Sequence, residues 1–346
     1  MSPARLPIDD VLTRIAAALA DAPNLVIAAP PGAGKTTRVP LALIDAPWRA
    51  AGKILMLEPR RIAARAAAER LAAERGERPG AAVGYRIRGE GKPGHVIEVV
   101  TEGILTAMVQ DDPALSGIAA VIFDEAHERS IHSDLGLALA LDVQGALRPD
   151  LRLVVMSATL DTAAYADLLG GAPVVESPGR AFPVETRMLD RPWRQPGAGR
   201  RGFEAALARL IAEAADESGG DILAFLPGAP EIERTLAALP ALAGGARPLA
   251  LHGSLPFDRQ AEVLRPDPDG QRRVILATAI AETSLTVPGV GVVIDGGLAR
   301  RARTDPATGL SRLVTGPVSR AQADQRRGRA GRLGPGICYR MWTKGE

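Results

Sequence analysis

The stretch LVIAAPPGAGKTT at residues 25–37 joins an apolar segment, a turn rich in Pro and Gly, and a Lys-Thr-Thr triplet. The apolar segment predicts a buried strand, and the triplet predicts the start of a helix. The stretch matches the phosphate-binding pattern GxxxxGK[ST], except that Ala29 stands where the first Gly is expected. A chance Gly/Pro turn before a Lys is disfavoured because a strand precedes it and a helix follows it. We therefore predict a nucleotide site.

The residue types explain how this loop would hold a triphosphate. Small residues let backbone N–H groups turn towards a polyphosphate, and the start of the following helix attracts the same anion. The Lys35 ammonium would reach the outer phosphates, and the Thr36 hydroxyl would bind Mg²⁺. ATP and Mg²⁺ are the predicted cofactors. The predicted phosphate-binding residues are Pro31, Gly32, Ala33, Gly34, Lys35, Thr36 and Thr37.

Length and composition indicate an ordinary globular chain of about two domains. The 346 residues are 46% hydrophobic and 24% charged. The single cysteine, Cys338, excludes an internal disulfide and a cysteine metal cluster, and it suits a reducing cytosol. We find no signal peptide and no apolar run of membrane-spanning length. We expect a cytoplasmic monomer with no membrane contact.

Apolar runs alternate with helical segments along the chain, which predicts the α/β class with parallel sheets. A Pro/Gly-rich stretch at residues 176–183 predicts a domain boundary, and a second alternation follows it without a phosphate loop of its own. Ligands of such sheets gather at the carboxyl ends of the strands. Two similar α/β lobes with one phosphate loop suggest a site completed across the cleft between them.

The acidic segment DEAH at residues 124–127 directly follows the apolar run at 119–123. We predict that Asp124 binds Mg²⁺ and that Glu125 activates the attacking water. An acidic turn without a function is the alternative for such a tetrapeptide taken alone. The upstream phosphate loop favours the catalytic interpretation.

Between residues 300 and 332 the chain carries nine Arg, no Lys and two acidic residues. A solvated surface is the ordinary explanation of such a segment, but Arg among Gly and Gln also suits forked contacts to phosphate. We predict that Arg329 and Arg332, supplied from the second lobe, act as arginine fingers on the γ-phosphate, and that Gln325 positions water.

Nine short segments, in order over nearly the whole chain, carry a family resemblance. They are APPGAGKTT (29–37), LEPRR (57–61), TEGIL (101–105), DEAHER (124–129), SAT (157–159), FLPG (225–228), LHGSLP (251–256), AETSLT (281–286) and QRRGRAGR (325–332). The chain resembles the two-lobed motor core of superfamily 2 helicases of the DEAH-box class. LEPRR and the run DPATGLSRL (305–313) point, within that class, to the bacterial HrpB type.

The resemblance implies two tandem RecA-like lobes of the P-loop NTPase fold, with parallel sheets flanked by helices. It places the ATP-binding lobe at residues 1–180 and the helicase C-terminal lobe at 181–346. A β-hairpin near 299–315 would separate strands, or would be an edge hairpin without a mechanical role. No adenine-reading Phe…Gln element precedes the phosphate loop, which implies that other nucleoside triphosphates are accepted.

The resemblance also assigns further residues. His127 and the segment at 157–159 would couple hydrolysis to lobe movement. Arg70 would stack on the base, with Leu264 in place of the opposing aromatic residue, and Thr286 would also contact the nucleotide. Single-stranded RNA would be held mostly through phosphate and sugar, with DNA left open. The residues assigned to nucleic acid are Arg60, Arg61, Thr101, Gly228 and Thr278.

The sequence departs from the family pattern at Ala29 and at Ala279, where the family usually has Asn. The chain stops at Glu346, just after the second lobe, and we expect the family's accessory C-terminal region to be missing. Weaker grip on nucleic acid and poor unwinding would follow from its loss.

The favoured hypothesis is an ATP-dependent RNA helicase or translocase core. A DNA-directed translocase and a nucleotide-switched RNA-binding module with little turnover are the alternatives. Stimulation of ATP hydrolysis by matched RNA and DNA strands distinguishes the first two, and turnover itself distinguishes the third.

Overall fold

A computed structural model describes residues 5–158, 162–179, 182–193, 202–282, 287–332 and 334–346. Its contacts divide the chain into two units, Met1–Arg180 and Ala181–Glu346. Each unit has its own central sheet and its own hydrophobic core.

The first unit contains an eight-stranded sheet in the order β4-β3-β5-β2-β6-β7-β1-β8. Its strands are β1 (Asn24–Ala28), β2 (Lys53–Glu58), β3 (Val83–Ile87), β4 (Glu90–Lys92), β5 (Ile97–Thr101), β6 (Ile118–Phe123), β7 (Arg152–Ser157) and β8 (Val174–Glu176). All the pairings are parallel except that between β3 and the edge strand β4.

Six α-helices accompany this sheet within the described part of the first unit. They are α1 (Leu12–Asp21), α2 (Lys35–Ala42), α3 (Arg61–Glu74), α4 (Glu102–Asp111), α5 (Ile131–Ala146) and α6 (Ala163–Leu168). Short 3-10 turns lie at Pro7–Val11, Pro47–Arg49 and Ala126–Glu128.

The central strands of this sheet are buried on both faces. Val121 and Phe123 of β6 share one hydrophobic cluster with Leu137 of α5, while the alternate residue Ile122 is equally buried. Strands covered on both sides are continuous apolar runs, which is why this part of the fold was predictable. Because β2, β6, β7 and β1 are parallel neighbours, the segments that follow them meet at one edge. The polar segments that follow these strands therefore lie close together.

The second unit contains a six-stranded, wholly parallel sheet in the order β11-β12-β10-β13-β16-β9. Its strands are β9 (Val184–Met188), β10 (Asp221–Phe225), β11 (Arg247–Leu251), β12 (Arg273–Ala277), β13 (Val290–Asp295) and β16 (Gly336–Arg340). The accompanying α-helices are α7 (Phe203–Glu217), α8 (Ala229–Ala238), α9 (Phe257–Leu264) and α10 (Arg320–Arg327).

A separate antiparallel hairpin is formed by β14 (Leu298–Thr304) and β15 (Ser311–Pro317). Leu310 and Leu313, towards its far end, are about 70% exposed, as expected for a ribbon of only two strands. None of the helices in the described ranges is both long and apolar enough to cross a membrane.

Candidate nucleotide site

The phosphate loop lies between β1 and α2, and its backbone requires two of its glycines. Gly32 and Gly34 have φ of 84° and 94°, in the left-handed region that L-residues with side chains rarely adopt. Gly34 is the N-cap of α2, so the helix begins at Lys35 and directs its free N–H groups towards the loop. Among the described residues other than glycine, positive φ occurs at Ala50, Leu115, Glu125 and Arg129. Position 29 therefore does not require a glycine, and the Ala found there is compatible with the backbone of the loop.

Replacing Gly34 by Ala is expected to weaken nucleotide binding at least tenfold. A Cβ at this position would lie 2.6 Å from the Leu6 side chain, and left-handed backbone costs a side-chain-bearing residue about 1–2 kcal/mol. Titration with a fluorescent nucleotide measures the effect. Gly76→Ala is the matched control, since Gly76 also has positive φ but has open space around it. Equal affinity in the Gly34→Ala variant and the wild type would contradict the prediction.

The acidic segment after β6 is held at the same edge by backbone contacts. The Asp124 N–H donates to the Leu57 carbonyl at 3.2 Å, which continues the pairing of β6 with β2. Glu125 then takes a left-handed conformation with φ of 52°. Tyr165 anchors the following turn, because its hydroxyl donates to the Ala126 carbonyl at 2.8 Å. The chain thus turns sharply where the two carboxylates stand.

The structure brings the two carboxylates onto the first residues of α2. The Thr36 hydroxyl donates to Asp124 Oδ2 at 2.5 Å, and Lys35 Nζ lies 3.5 Å from Glu125 Oε1. Lys35 and Asp124 are each 3% exposed. Burial raises the pKa of Asp124 to about 6, although the Lys35 ammonium opposes this rise. A buried carboxylate held this way is suited to a cation, because a bound cation would favour its charged form.

His127 connects this segment to the end of β7. The Ala158 N–H donates to His127 Nδ1 at 3.3 Å, so Nε2 carries the proton of the neutral ring. That Nε2 lies 3.4 Å from Glu125 Oε2. Burial lowers the pKa of His127, which favours the neutral ring despite the nearby Glu125 carboxylate. One imidazole therefore contacts both the predicted base and the segment at 157–159, whose Thr159 lies outside the described residues.

The donor set at this edge fits Mg²⁺ delivered with a nucleotide. Within the described ranges, no three His, Cys, Asp or Glu side chains are grouped so as to hold a metal by themselves. Mg²⁺ in phosphate-transferring sites instead uses one or two protein oxygens, substrate phosphates and water. The Thr36 hydroxyl and the Asp124 carboxylate supply such oxygens side by side.

Three of the residues predicted to bind nucleic acid lie at the carboxyl edge of the first sheet. Arg60 is the N-cap and Arg61 the first residue of α3, which follows β2, and Thr101 ends the neighbouring strand β5 and is the N-cap of α4. Arg60 Nη2 lies 3.4 Å from Glu128 Oε2. Arg70, predicted to stack on the base, is exposed on α3. These positions agree with a surface that ligands can reach.

The other two residues predicted to bind nucleic acid lie at the corresponding edge of the second sheet. Gly228 follows β10 and caps α8, while Thr278 follows the adjacent strand β12. A Cβ on Gly228 would lie 2.5 Å from Arg300 Nη1, so the end of the hairpin arginine packs closely over this glycine. Arg300 in turn lies 3.1 Å from Glu231 Oε1. Thr286, predicted to contact the nucleotide, lies outside the described residues.

The arginine-rich segment divides between surface and interior. Gln325 is partly buried in α10, and Arg332 is partly buried just beyond it. Arg329 is only 5% exposed, and its Nε donates to the Glu282 carbonyl at 2.8 Å. These contacts hold Arg329 in a fixed orientation within the second unit.

Sequence reasoning missed Arg326, which is completely buried in α10. Its guanidinium donates to Glu282, and also to Asp295 Oδ1 at 2.6 Å, and lies 4.9 Å from the Phe225 ring centroid. The expectation that this whole segment faces phosphate or solvent is therefore wrong for Arg326. Only the apolar face of α10, with Ala323 at i−3, hinted at an inward position.

Sequence reasoning also missed Glu58, the last residue of β2. It is 1% exposed and lies beside Asp124. A signal was available, since a carboxylate at the carboxyl end of a buried strand stands where ligands of such sheets bind.

Two family models match the chain in tandem. The DEAD/DEAH box helicase model matches residues 12–168, and the helicase conserved C-terminal domain model matches residues 204–334. The first range contains the phosphate loop and the acidic segment, and the second contains the arginine-rich segment.

Similar proteins include the ATP-dependent RNA helicase HrpB of Escherichia coli K12, 49% identical over 98% of this chain and 41% of that protein. The pre-mRNA-splicing factor ATP-dependent RNA helicase prp22 of Schizosaccharomyces pombe is 37% identical over 98% of this chain and 29% of its own length. A crystal structure of Escherichia coli DEAH/RHA helicase HrpB matches with a TM-score of 0.90 and 48% identity, over 98% of this chain and 43% of that one. The chain thus spans less than half the length of these relatives. With both helicase domains in order, it belongs to the DEAD/DEAH box helicase family.

Proposed function

We propose that this chain is the motor core of an ATP-dependent RNA helicase or translocase. The observation that carries the proposal is the contact of the first two residues of α2 with the two carboxylates after β6. This contact brings an ammonium group, a hydroxyl and two carboxylates together at one sheet edge. The relatives named as ATP-dependent RNA helicases support the choice of ATP and RNA.

We further propose how the first unit hydrolyses the nucleotide. The loop N–H groups and the start of α2 bind the phosphates, and the Lys35 ammonium neutralises their outer charge. Thr36 and Asp124 would hold Mg²⁺, which supplies charge stabilisation to the transferring phosphoryl group. Glu125 accepts the proton of the attacking water, since its carboxylate is oriented by both Lys35 and His127.

The second unit, in this proposal, supplies positive charge and part of the nucleic-acid contact. Arg329 and Arg332 would bind the γ-phosphate, and Gln325 would position water. Loss of that phosphate on hydrolysis would end its interaction with the two arginines. Arg70 would stack on the base, and Thr286 would also contact the nucleotide. RNA would contact both units, mostly through phosphate and sugar. The side chains proposed to touch it are Arg60, Arg61, Thr101 and Thr278, with the backbone at Gly228.

ATP turnover with and without single-stranded RNA tests this function directly. We expect RNA to stimulate the wild type, and Arg332→Ala to lower the stimulated rate about 10³-fold or more, as for other arginine fingers. Arg320→Ala is the matched control, because Arg320 is an exposed Arg of the same segment with no role in the proposal.

A matched DNA strand completes the experiment. Stimulation by DNA alone would replace the RNA assignment by a DNA translocase. Nucleotide binding without turnover would favour a switch module. Wild-type turnover in Arg332→Ala would remove the finger assignment.

A further inference from the structure

Glu58 is a buried carboxylate that the proposed chemistry leaves unused. It ends β2, and the neighbouring strand β6 ends one position earlier in the register, where Leu57 pairs with Phe123. Glu58 therefore stands beside Asp124 at the phosphate edge of the sheet. Its side chain is almost completely removed from solvent, with 1% of its surface exposed.

One oxygen of this carboxylate, Oε2, is buried and has no hydrogen-bond partner. The side-chain hydrogen bond of this carboxyl is with Asp124, a second acid, so it brings no opposite charge, and a charged carboxylate buried in this way is costly. Its nearest charges make this worse: Asp124 and Glu125 both raise the pKa of Glu58, in addition to burial, and the Lys35 ammonium offsets only part of the effect. The structure therefore brings three acidic side chains, those of Glu58, Asp124 and Glu125, close together around one unpartnered buried oxygen.

A second buried carboxylate of the same sheet shows how a structural role is satisfied. Glu98 of β5 is also 1% exposed, but it accepts from Arg86 Nε at 2.9 Å and lies 3.4 Å from Lys53 Nζ. Glu98 is thus neutralised by the protein itself. Glu58, in contrast, keeps an unpartnered oxygen beside a proposed metal ligand, which is where a cation would compensate it.

We propose that Glu58 binds the Mg²⁺ of the nucleotide complex through a coordinated water. The inference rests on the proposed function, since it uses the same metal as Thr36 and Asp124. A water-mediated contact is favoured over a direct one because Mg²⁺ retains several waters, and because the described acids form no cluster able to hold a metal alone. Glu58 is thereby a positioning residue that acts on the metal's water shell.

The test measures metal affinity rather than turnover. Binding of N-methylanthraniloyl-ADP is followed by fluorescence in EDTA and during a titration with Mg²⁺. For Glu58→Gln, which keeps the shape and removes the charge, we expect the Mg²⁺ concentration at half-saturation to rise about tenfold or more, as for other residues that hold a metal's ligands in place through hydrogen bonds. Nucleotide affinity in EDTA should stay within about twofold of the wild type, because the metal-free contacts are retained.

Glu98→Gln is the matched control, because it removes an equally buried carboxylate from the adjacent strand. This change should lower thermal stability but leave the Mg²⁺ half-saturation unchanged. If Glu58→Gln does not fold, Glu58→Asp takes its place. Asp keeps the negative charge, but its side chain is one methylene shorter. We expect this change to raise the Mg²⁺ concentration at half-saturation severalfold.

An unchanged Mg²⁺ requirement in the folded Glu58 variant would overturn the inference while leaving the proposed function intact. An equal loss of nucleotide affinity with and without Mg²⁺ would also overturn it, since that is the result of a merely structural role. Failure of the proposed function is separate from both: the wild-type chain would then show no Mg²⁺-dependent nucleotide binding at all.

Discussion

Replacing Glu125 by Gln is expected to lower the RNA-stimulated kcat for ATP about 10²- to 10⁴-fold, the usual contribution of a general base. Gln has nearly the same shape, so it can keep the contacts that orient the side chain. It cannot accept the proton of the attacking water. Steady-state hydrolysis at saturating ATP measures the loss, and binding of a fluorescent nucleotide should persist within a few fold.

Glu128→Gln is the matched control for this variant. Glu128 is the next acid of the same turn, but it contacts Arg60 rather than Lys35. We expect its replacement to change ATP turnover far less. Wild-type turnover in Glu125→Gln would show that the base assignment is wrong, whereas loss of nucleotide binding would show that the substitution disturbs the loop instead.

Replacing Arg326 by Ala is expected to destabilise the second unit by about 3–5 kcal/mol, the cost of breaking a buried ion pair by removing one partner. This loss of stability is expected because two buried carboxylates would lose their cationic partner. Glu282 is 5% exposed and Asp295 is 0% exposed, and both depend on this guanidinium. Chemical denaturation of the full chain, followed by circular dichroism, measures the change in the free energy of unfolding.

Arg327→Ala provides the control, because the Arg327 side chain is 43% exposed and pairs with the exposed Asp324. Its replacement should change stability by no more than about 0.5 kcal/mol. If both variants lost the same stability, the cause would be helix propensity or charge in α10 rather than the buried triad. If neither lost any, the buried ion pairs would contribute nothing measurable.

The contacts of Arg326 also link two segments of the proposed motor, the one that contains Glu282 and the one that contains Arg329. Its carboxylate partner Glu282 offers its backbone carbonyl to Arg329 Nε at 2.8 Å. Arg329 is thus oriented by the same residue that anchors Arg326. A variant of Arg326 should therefore affect the proposed finger as well as stability, and turnover must be compared at temperatures where the variant remains folded.

The sequence by itself determined the features that reside in contiguous residues. The phosphate loop, the acidic segment and the apolar strands before them could be predicted because each is short and local, with fixed residue types at fixed spacing. The central strands were predictable for the same reason, since strands buried on both faces are unbroken apolar runs. The short strands β4 and β8 were not predicted, because three residues are too few to show the alternation of apolar and polar side chains that indicates a strand.

Only the tertiary structure decided which polar residues are partners. Glu58 meets Asp124 because β2 and β6 are neighbours in a sheet whose order does not follow the chain. Arg326 meets Glu282 and Asp295 across 44 and 31 residues of sequence. A run of arginines has the same composition whether its members face solvent, phosphate or a buried carboxylate. Packing of α10 against the second sheet, rather than residue type, places Arg326 in the interior, because its charge is stable there only beside Glu282 and Asp295.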